Sequence, residues 1–382
     1  MVSKRRILVI GGGIGGLTAG VALGRKDVDV TVVEIKPDNT VAGVGINIPG
    51  NALRALRRLD LLDDTVNHGY TFDRVDFHDS ASVHLATVPS KLGIDGVPAN
   101  CAIQRRDLAQ LLEKACIDSG VDIRYGTTVE TVTPAATGVR ATLTDGTSDT
   151  FDLVVAFDGI RSSQRKRIFG VEPVHTGYSV WRVALPRHTA VTSNMYFQGM
   201  GTKAGLFPLN EKTMYLLHVT PEPGNPRHER EQFFELLQTR LDGYTGLIGD
   251  LAAGLVPTDD IVYAPIEEVF LGGTWYRDGV LVLGDAAHAM APHRTQGAAM
   301  AIEDAVALGE VMSRPGAVTD LVGEFQERRF GRCKMIQDAS KNILLSEMNT
   351  TDQDSLDRQI EFLKNDLVRV AHQVDDELNT AF

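Results

Sequence analysis

Residues 6–34 read RILVIGGGIGGLTAGVALGRKDVDVTVVE, and this stretch decides the fold. Ile7-Leu8-Val9-Ile10 is an apolar run of buried-strand type that stops at Gly11-Gly12-Gly13. Gly15-Gly16 then open a helix that is small and apolar on one face. Asp29 to Val33 returns as a second strand and ends on Glu34. Gly11, Gly13 and Gly16 stand as G-x-G-x-x-G, with a strand before, a helix after and an acid about 20 positions on. Gly11 makes the tight turn, and Gly13 lets backbone N–H groups approach a pyrophosphate at the helix N-terminus. Gly16 lets helix and strand pack closely, and the Glu34 carboxylate accepts from ribose hydroxyls. The expectation is a dinucleotide-binding strand–helix–strand unit. A merely tight turn leaves Glu34 unexplained.

Bulk properties narrow the setting. A chain of 382 residues is long enough for a large core and for two domains. With 43% hydrophobic and 23% charged residues the composition is that of a soluble globular protein. A net charge of −12 argues against nucleic acid or an anionic membrane surface as partner. Cys101, Cys116 and Cys333 are odd in number and widely spaced, which suits a reducing compartment and offers no disulfide framework. His68, His78 and His84 lack metal-ligand spacing, so no metal site is expected. Lys4-Arg5-Arg6 before an apolar run mimics a signal peptide, but the strand–turn–helix reading explains it better. No other apolar run approaches the ~18 residues of a membrane span. A cytoplasmic monomer or homodimer is expected.

Farther along, residues 42–51 form a glycine-rich connection that includes Gly45, Ile46 and Asn47 and suggests backbone packed against a ligand. A basic amphipathic helix, Ala52 to Leu59, follows. Phe72 to Val88 alternates apolar and polar, as strands outside the first domain. A helix starts at Gln104-Arg105 and runs to Ser119. Strands are expected over Val121–Arg124, Thr128–Thr133, Gly138–Thr144 and Phe151–Ala156, the last ending abruptly at Asp158-Gly159. From Val171 to Thr274 alternating runs joined by glycine and proline turns predict a mostly antiparallel sheet with one helix near Glu229 to Leu241. Gly199, Gly201 and Gly205 mimic a second nucleotide loop, but Leu206-Phe207-Pro208 follows them, so a hairpin is expected there. An apolar strand returns at Gly279–Leu283 and ends on Gly284-Asp285; a loop then delivers a helix from Gly297 to Met312. Another helix covers Val318 to Leu345. Leu356, Ile360, Leu363, Leu367, Val370, Val374 and Leu378 give the tail one amphipathic helix, docked on the chain's own core.

In a doubly wound sheet, C-terminal strand ends converge on one ligand crevice. Three such ends carry glycine or acid here: Gly11, Asp158-Gly159 and Gly284-Asp285. GGGIGG with Glu34, AFDGIRSSQR (156–165) and VLGDAAHAMAPHRTQGAA (282–299) resemble, in that order, the single-component FAD-dependent aromatic hydroxylases. These are the p-hydroxybenzoate or salicylate hydroxylase-like flavoprotein monooxygenases. The resemblance covers residues 5–345. It implies an α/β protein: a Rossmann-like FAD-binding domain (1–71, 99–170, 276–345), an inserted, mostly antiparallel substrate domain (72–98, 171–275) and a C-terminal helical segment (346–382).

By that resemblance Glu34 holds the adenosine ribose, Arg105 contacts the pyrophosphate or ribityl chain, and Asp158-Gly159 lies where FAD and nicotinamide cofactor both approach. Asp285 holds the ribityl chain, Pro292 packs near the flavin, and the Gly297 and Ala298 amides face the isoalloxazine. Ile14, Gly15, Gly45, Ile46, Asn47, Val129, Gly284 and Gln296 complete the expected cofactor contacts. Reduced flavin is an anion, and a helix N-terminus stabilises negative charge by ~0.3–2 kcal/mol. Asp304 matches a recurrent acid of that helix, for which helix surface is an adequate reading. Three features depart from the pattern. Thr295 stands where the family usually has glycine, and a β-branched residue tolerates positive φ poorly, so either the loop differs or the position does not need it. Arg294 before it reads equally as a substrate-carboxylate or nicotinamide contact and as solvent-facing loop. Pro49-Gly50-Asn51 replaces a commoner x-P-N.

The implied reaction uses NAD(P)H to reduce FAD and O2 to form a flavin C4a-hydroperoxide that hydroxylates an electron-rich phenolic acid or hydroxypyridine-type ring. A base or strong acceptor near the ring hydroxyl helps, because the anion reacts best. Tyr215 and His218 lie on one strand with opposite parity, so at most one faces the pocket; they lead the candidates. Lys203, Tyr196 and Arg182 are further ones, Arg182 as a carboxylate partner. A halogenase needs W-x-W, and the tryptophans are Trp181 and Trp275 alone. A disulfide reductase needs a cysteine pair and a second nucleotide domain. An FAD-dependent reductase or epoxidase of the same fold, and a non-catalytic flavin-binding protein, are the alternatives.

Overall fold

The computed structural model describes residues 4–40, 43–257 and 260–382; Ala42, at the head of the glycine-rich connection, lies outside them. Valine- and isoleucine-rich runs without polar alternation are buried on both faces, which suits parallel strands between helices. They form a six-stranded sheet in the order Tyr276–Arg277, Val280–Val282, Leu153–Ala156, Arg6–Ile10, Asp29–Glu34, Asp122–Tyr125. Only the edge pair Tyr276–Arg277 with Val280–Val282 is antiparallel. The fingerprint strand Arg6–Ile10 sits inside this sheet, so its C-terminal end opens beside those of Leu153–Ala156 and Val280–Val282. The three chemical motifs are thereby gathered at one sheet edge.

Glycine sets how closely the elements approach. A Cβ on Gly16 would stand 1.8 Å from the Gly11 carbonyl oxygen. Gly11 itself has φ +104°, and its Cβ would lie 2.4 Å from the Phe157 carbonyl oxygen. Helix Ile14–Gly24 packs against helix Gly297–Met312, where a Cβ on Gly309 would stand 2.7 Å from Ala22 O.

The alternating segments form a second, seven-stranded sheet: Ile261–Glu268, Val174–Pro186, Thr213–Pro221, Lys203–Pro208, Asn194–Gln198, Arg74–Asp79, His84–Pro89. It is antiparallel except where Asn194–Gln198 meets Arg74–Asp79. Gly199 and Gly201 lie in a tight hairpin whose strands pair Gln198 with Lys203, as expected from the residues that follow them. One face of this sheet packs on helices Phe233–Arg240 and Gly246–Ala253 through Trp181, Val183, Phe197 and Leu216. The second of these helices was not expected: GLIGDLAA is one short stretch with two glycines, and its helicity comes from tertiary packing. The tail also differs, forming two helices, Gln353–Asn365 and Leu367–Leu378, that break at Asp366. They dock on the rest of the chain through His372 Nε2 to the Pro89 carbonyl (2.8 Å) and the Lys91 amide to Asp375 (2.9 Å). No described helix is long and apolar enough to cross a membrane.

Candidate active site

Between the strand ends of the first sheet and the other face of the second lies a cleft of about 560 Å³, a size suited to a small organic ligand. The sequence-predicted residues Gly13, Ile14, Gly15, Gly45, Ile46, Asn47, Arg105, Gly159, Gly284, Asp285, Pro292, Gly297 and Ala298 line it. Gly11 and Gly16 shape the loop from within. Glu34 sits beneath that loop, where its carboxylate accepts from the Gly12 amide (2.7 Å) and the Lys36 amide (3.0 Å). Asp158 is tucked behind Gly159, one oxygen accepting from the Gln164 amide (3.3 Å) and the other buried without a partner among the described residues. Gln296 is buried in a reciprocal amide pair with Asn51. Val129 opens strand Val129–Pro134 with its side chain in the hydrophobic core and is not among the residues that line the cleft.

Three observations fit an extended dinucleotide here. Nothing stands within 4 Å of where a Cβ on Gly13 would project, so the loop leaves room at the helix N-terminus. Asp158 Oδ1 and Asn47 Oδ1 are buried acceptors with no donor among the described residues. Helix Gly297–Met312 starts at the cleft with no side-chain cap, so its first amides are free to face an anion.

The loop before that helix corrects two expectations. Thr295 has φ 53° and ψ 28°, so the turn keeps the left-handed conformation although the residue is β-branched. Such a conformation costs about 1–2 kcal/mol; Asn47 Nδ2 donates to Thr295 Oγ1 at 3.3 Å and helps hold it. Arg294 is mostly buried and is not among the residues that line the cleft. Its guanidinium turns to the tail, 3.8 Å from Asp375. Pro49-Gly50-Asn51 also has a packing reason: a Cβ on Gly50 would stand 2.2 Å from the Leu92 carbonyl oxygen.

Asp304 corrects a third. Helix Gly297–Met312 is enclosed by helices Ile14–Gly24, Gly50–Arg57 and Val318–Met348, so no face of it reaches water there. Asp304 is fully buried and accepts from His288 Nε2 (2.7 Å), Arg329 Nε (2.8 Å) and the Gly284 amide (3.3 Å). Beside it Glu303 accepts from Arg329, Arg332 and Asn51. Burial pushes the Asp304 carboxyl up, but His288 and Arg329 outweigh it and hold it at about 2. His288 is disfavoured as a cation by burial, yet Cys333 and Asp304 raise it well above its ordinary value. His288, Asp304 and Cys333 bring metal-ligand atoms within 4.8 Å of one another. The Arg329 guanidinium lies in the same cluster, 3.8 Å from Cys333 Sγ, and supplies the positive charge.

On the second sheet, Arg182, Tyr196, Lys203 and Tyr215 all line the cleft. Tyr215 stacks on Phe207 at 4.6 Å. Neither the Tyr215 nor the Tyr196 hydroxyl has a hydrogen-bond partner among the described residues, and burial raises both phenols, Tyr215 to about 12. Lys203 is ion-paired with Glu347, with its ammonium 4.6 Å from the Tyr196 ring centre. Glu347 comes from the last turn of helix Val318–Met348, and His293 lies 3.7 Å from it; no sequence pattern marks either as a neighbour of Lys203. His218 is overturned as a candidate base. Strand parity puts Tyr215 in the cleft and turns His218 to the helix-covered face, against the carbonyls of Lys203 (3.2 Å) and Arg240 (2.9 Å). Burial lowers it to about 4.

A family model described as an FAD binding domain matches residues 4–317. The chain belongs to the single-component FAD-dependent monooxygenases. Among these, the 2-heptyl-3-hydroxy-4(1H)-quinolone synthase of Pseudomonas aeruginosa is 32% identical over 345 residues, 87% of each chain. The FAD-dependent urate hydroxylase of Klebsiella pneumoniae is 28% identical over 346 residues, again 87% of each. The structure of Klebsiella pneumoniae HpxO complexed with FAD and uric acid superposes with a TM-score of 0.87 at 24% identity, covering 98% of this chain and 96% of that one. In this monooxygenase the cofactor is FAD. The glycine loop, Arg105 and Asp285 line the cleft, and the uncapped start of helix Gly297–Met312 opens onto it.

Proposed function

We propose that this monooxygenase hydroxylates a small electron-rich aromatic or N-heteroaromatic ring, with NAD(P)H as electron donor and O2 as oxygen source. One observation carries the reading: two phenols without a hydrogen-bond partner among the described residues, Tyr215 and Tyr196, share a cleft with the uncapped start of helix Gly297–Met312. The quinolone and urate named for the relatives are rings of this kind. When bound, FAD supplies the redox chemistry and the activated oxygen. The chain's own residues then have separate tasks. Val180, Leu217, Val219 and Ile266 give the ring an apolar bed and exclude water. The Tyr215 hydroxyl, a neutral phenol at physiological pH, donates to a ring oxygen and favours its ionised form. The test is oxidation of NADH and of NADPH by the FAD-loaded protein over a panel of hydroxybenzoates, hydroxypyridines, purines and quinolones under labelled oxygen. The expected result is a ring that accelerates oxidation and gains one labelled atom. A panel in which no member does either refutes the proposal.

A further inference from the structure

A ring that ionises in the cleft gives up a proton, and some group must take it. The phenols Tyr215 and Tyr196 are donors there, and Arg105, Arg182 and Lys203 are cations. Of the carboxylates that line the cleft, Glu267 is held by Arg161 (2.6 Å), and Asp285 Oδ1 lies at the helix start, 3.7 Å from where a Cβ on Gly297 would project. His293 is different. Among the described residues that line the cleft it is the one imidazole, and its side chain is wholly buried. Neither of its ring nitrogens has a hydrogen-bond partner among the described residues. Buried polar atoms are rarely left unpaired, and two of them on one cleft-lining ring point to a partner that a ligand brings.

Each element around His293 brings a charged or titratable group. Its own turn, Pro292–Arg294, brings Arg294, which points away to Asp375. Helix Val318–Met348 brings Glu347, with Oε2 3.7 Å from His293 Nε2. Strand Lys203–Pro208 brings the Lys203 ammonium, paired with that same oxygen. Strand Asn194–Gln198 brings Tyr196, whose ring centre lies 4.6 Å from the ammonium. Burial and Lys203 hold the imidazole well below its ordinary value, so at physiological pH it is neutral and keeps one accepting nitrogen. Burial pushes the Glu347 carboxyl up, against the pull of Lys203. The two shifts move toward each other, which lets a proton pass between the groups at little cost. A gap of 3.7 Å closes to a hydrogen bond by a small side-chain rotation, as acid–base pairs do when a ligand binds.

We propose that His293 is a catalytic residue which, backed by Glu347, takes the proton that the ring gives up on ionising. The ring's O–H or N–H bond breaks, and its electron pair stays on the ring as negative charge. A new N–H bond forms at His293 Nδ1, and the proton on Nε2 passes to the Glu347 carboxylate. Nothing is oxidised or reduced in this step. Lys203 gains a purpose by it: once Glu347 is neutral, the ammonium beside it is an uncompensated cation in the cleft wall and offsets the anion just formed. The ring rests on the hydroxylase reading; the proton path rests on His293 and Glu347.

The experiment adds 4-nitrophenol, whose anion is yellow, to FAD-loaded wild type, H293Q and E347Q at about one unit below the phenol's own pKa. Difference absorbance reads the fraction ionised, and calorimetry in two buffers of unlike ionisation enthalpy reads the protons released. Wild type is expected to bind the anion and keep its proton, with the ionised fraction raised about tenfold over free solution. Each variant is expected to break that combination, binding either the neutral phenol or the anion with its proton lost to buffer. In turnover H293Q should lose about 100-fold or more in kcat, and the fall of kcat toward acid pH, with KM within about threefold of wild type. Wild type that leaves the phenol neutral or releases its proton overturns the relay. So does a variant that still ionises the phenol and keeps the proton, or H293Q that releases FAD, which would give the imidazole to the cofactor. Proton-retaining ionisation that needs both residues, in a protein that oxygenates no ring, sinks the hydroxylase reading and leaves the relay standing. Hydroxylation by H293Q with the wild-type rate and pH profile does the reverse.

Discussion

Asp304→Asn is the sharpest probe of the network under the cofactor helix. The substitution keeps the side chain's shape and removes one charge. His288 and Arg329, 1% and 0% exposed, then lose a shared counter-ion. Removing one partner of a buried ion pair costs about 3–5 kcal/mol. A second route gives a similar figure: the carboxyl is held at about 2 against an ordinary 3.8, and ~1.4 kcal/mol per unit makes roughly 2–3 kcal/mol for the carboxylate alone. Urea unfolding of the apoprotein is the assay. With a slope of about 3 kcal/mol per M, the midpoint should fall by about 1 M. The pH dependence has a definite sign. His288 has a raised folded value, so its contribution is complete below 6.5 and declines as pH rises above it. Asp304 has a depressed one, so its contribution is complete above 3.8 and is lost as pH falls toward about 2. The gap between wild type and variant should therefore be widest between pH 3.8 and 6.5. A loss below about 1 kcal/mol, or a gap that widens above that window, would show that the buried cluster does not hold these charges.

Three further outcomes are expected. Gly13→Val should lower FAD affinity by more than about tenfold through its side chain in the cradle, while apoprotein stability changes by less than ~1 kcal/mol; equilibrium dialysis and thermal unfolding separate the two. His218→Gln should leave kcat/KM and its pH profile within about threefold of wild type, because the ring faces the helices; a lost pH limb would restore it as a base. Tyr215→Phe should lower kcat/KM by roughly 3- to 15-fold, the worth of one hydrogen bond, without altering FAD content; an unchanged value would remove the phenol from the site.

Legibility followed the range of the interactions. Gly11, Gly13, Gly16 and Glu34 are readable because each answers a backbone need met within one strand–helix–strand unit, here seen in the Glu34 bond to Gly12. The opposite facing of Tyr215 and His218 is also local, since strand parity alone dictates it. Which of the two faces the ligand is not, because that depends on the helices covering the other side of the sheet. Asp304 and Glu303 look like a helix surface until Arg329 and Arg332 arrive from another helix. Lys203 likewise gains its partner Glu347 only through the closed fold. Thr295 misleads in a further way: residue type argues against a left-handed turn, and the surrounding contacts impose it.

The placement of Arg6–Ile10 inside the first sheet governs how the protein is made. Ile7 pairs with Leu153, and Val154 in turn with Val280. At ribosomal rates of about 5–20 residues per second the first strand waits roughly 10–30 seconds for its inner neighbour, and about as long again for the next. During synthesis the apolar run at Ile7–Ile10 is thus an unpaired sheet edge exposed to other chains. The three loops expected to embrace the cofactor come together only after Asp285 has been made, so capture of FAD is expected only after that point in synthesis. Expression with excess flavin should raise the yield of folded protein by drawing that last closure forward.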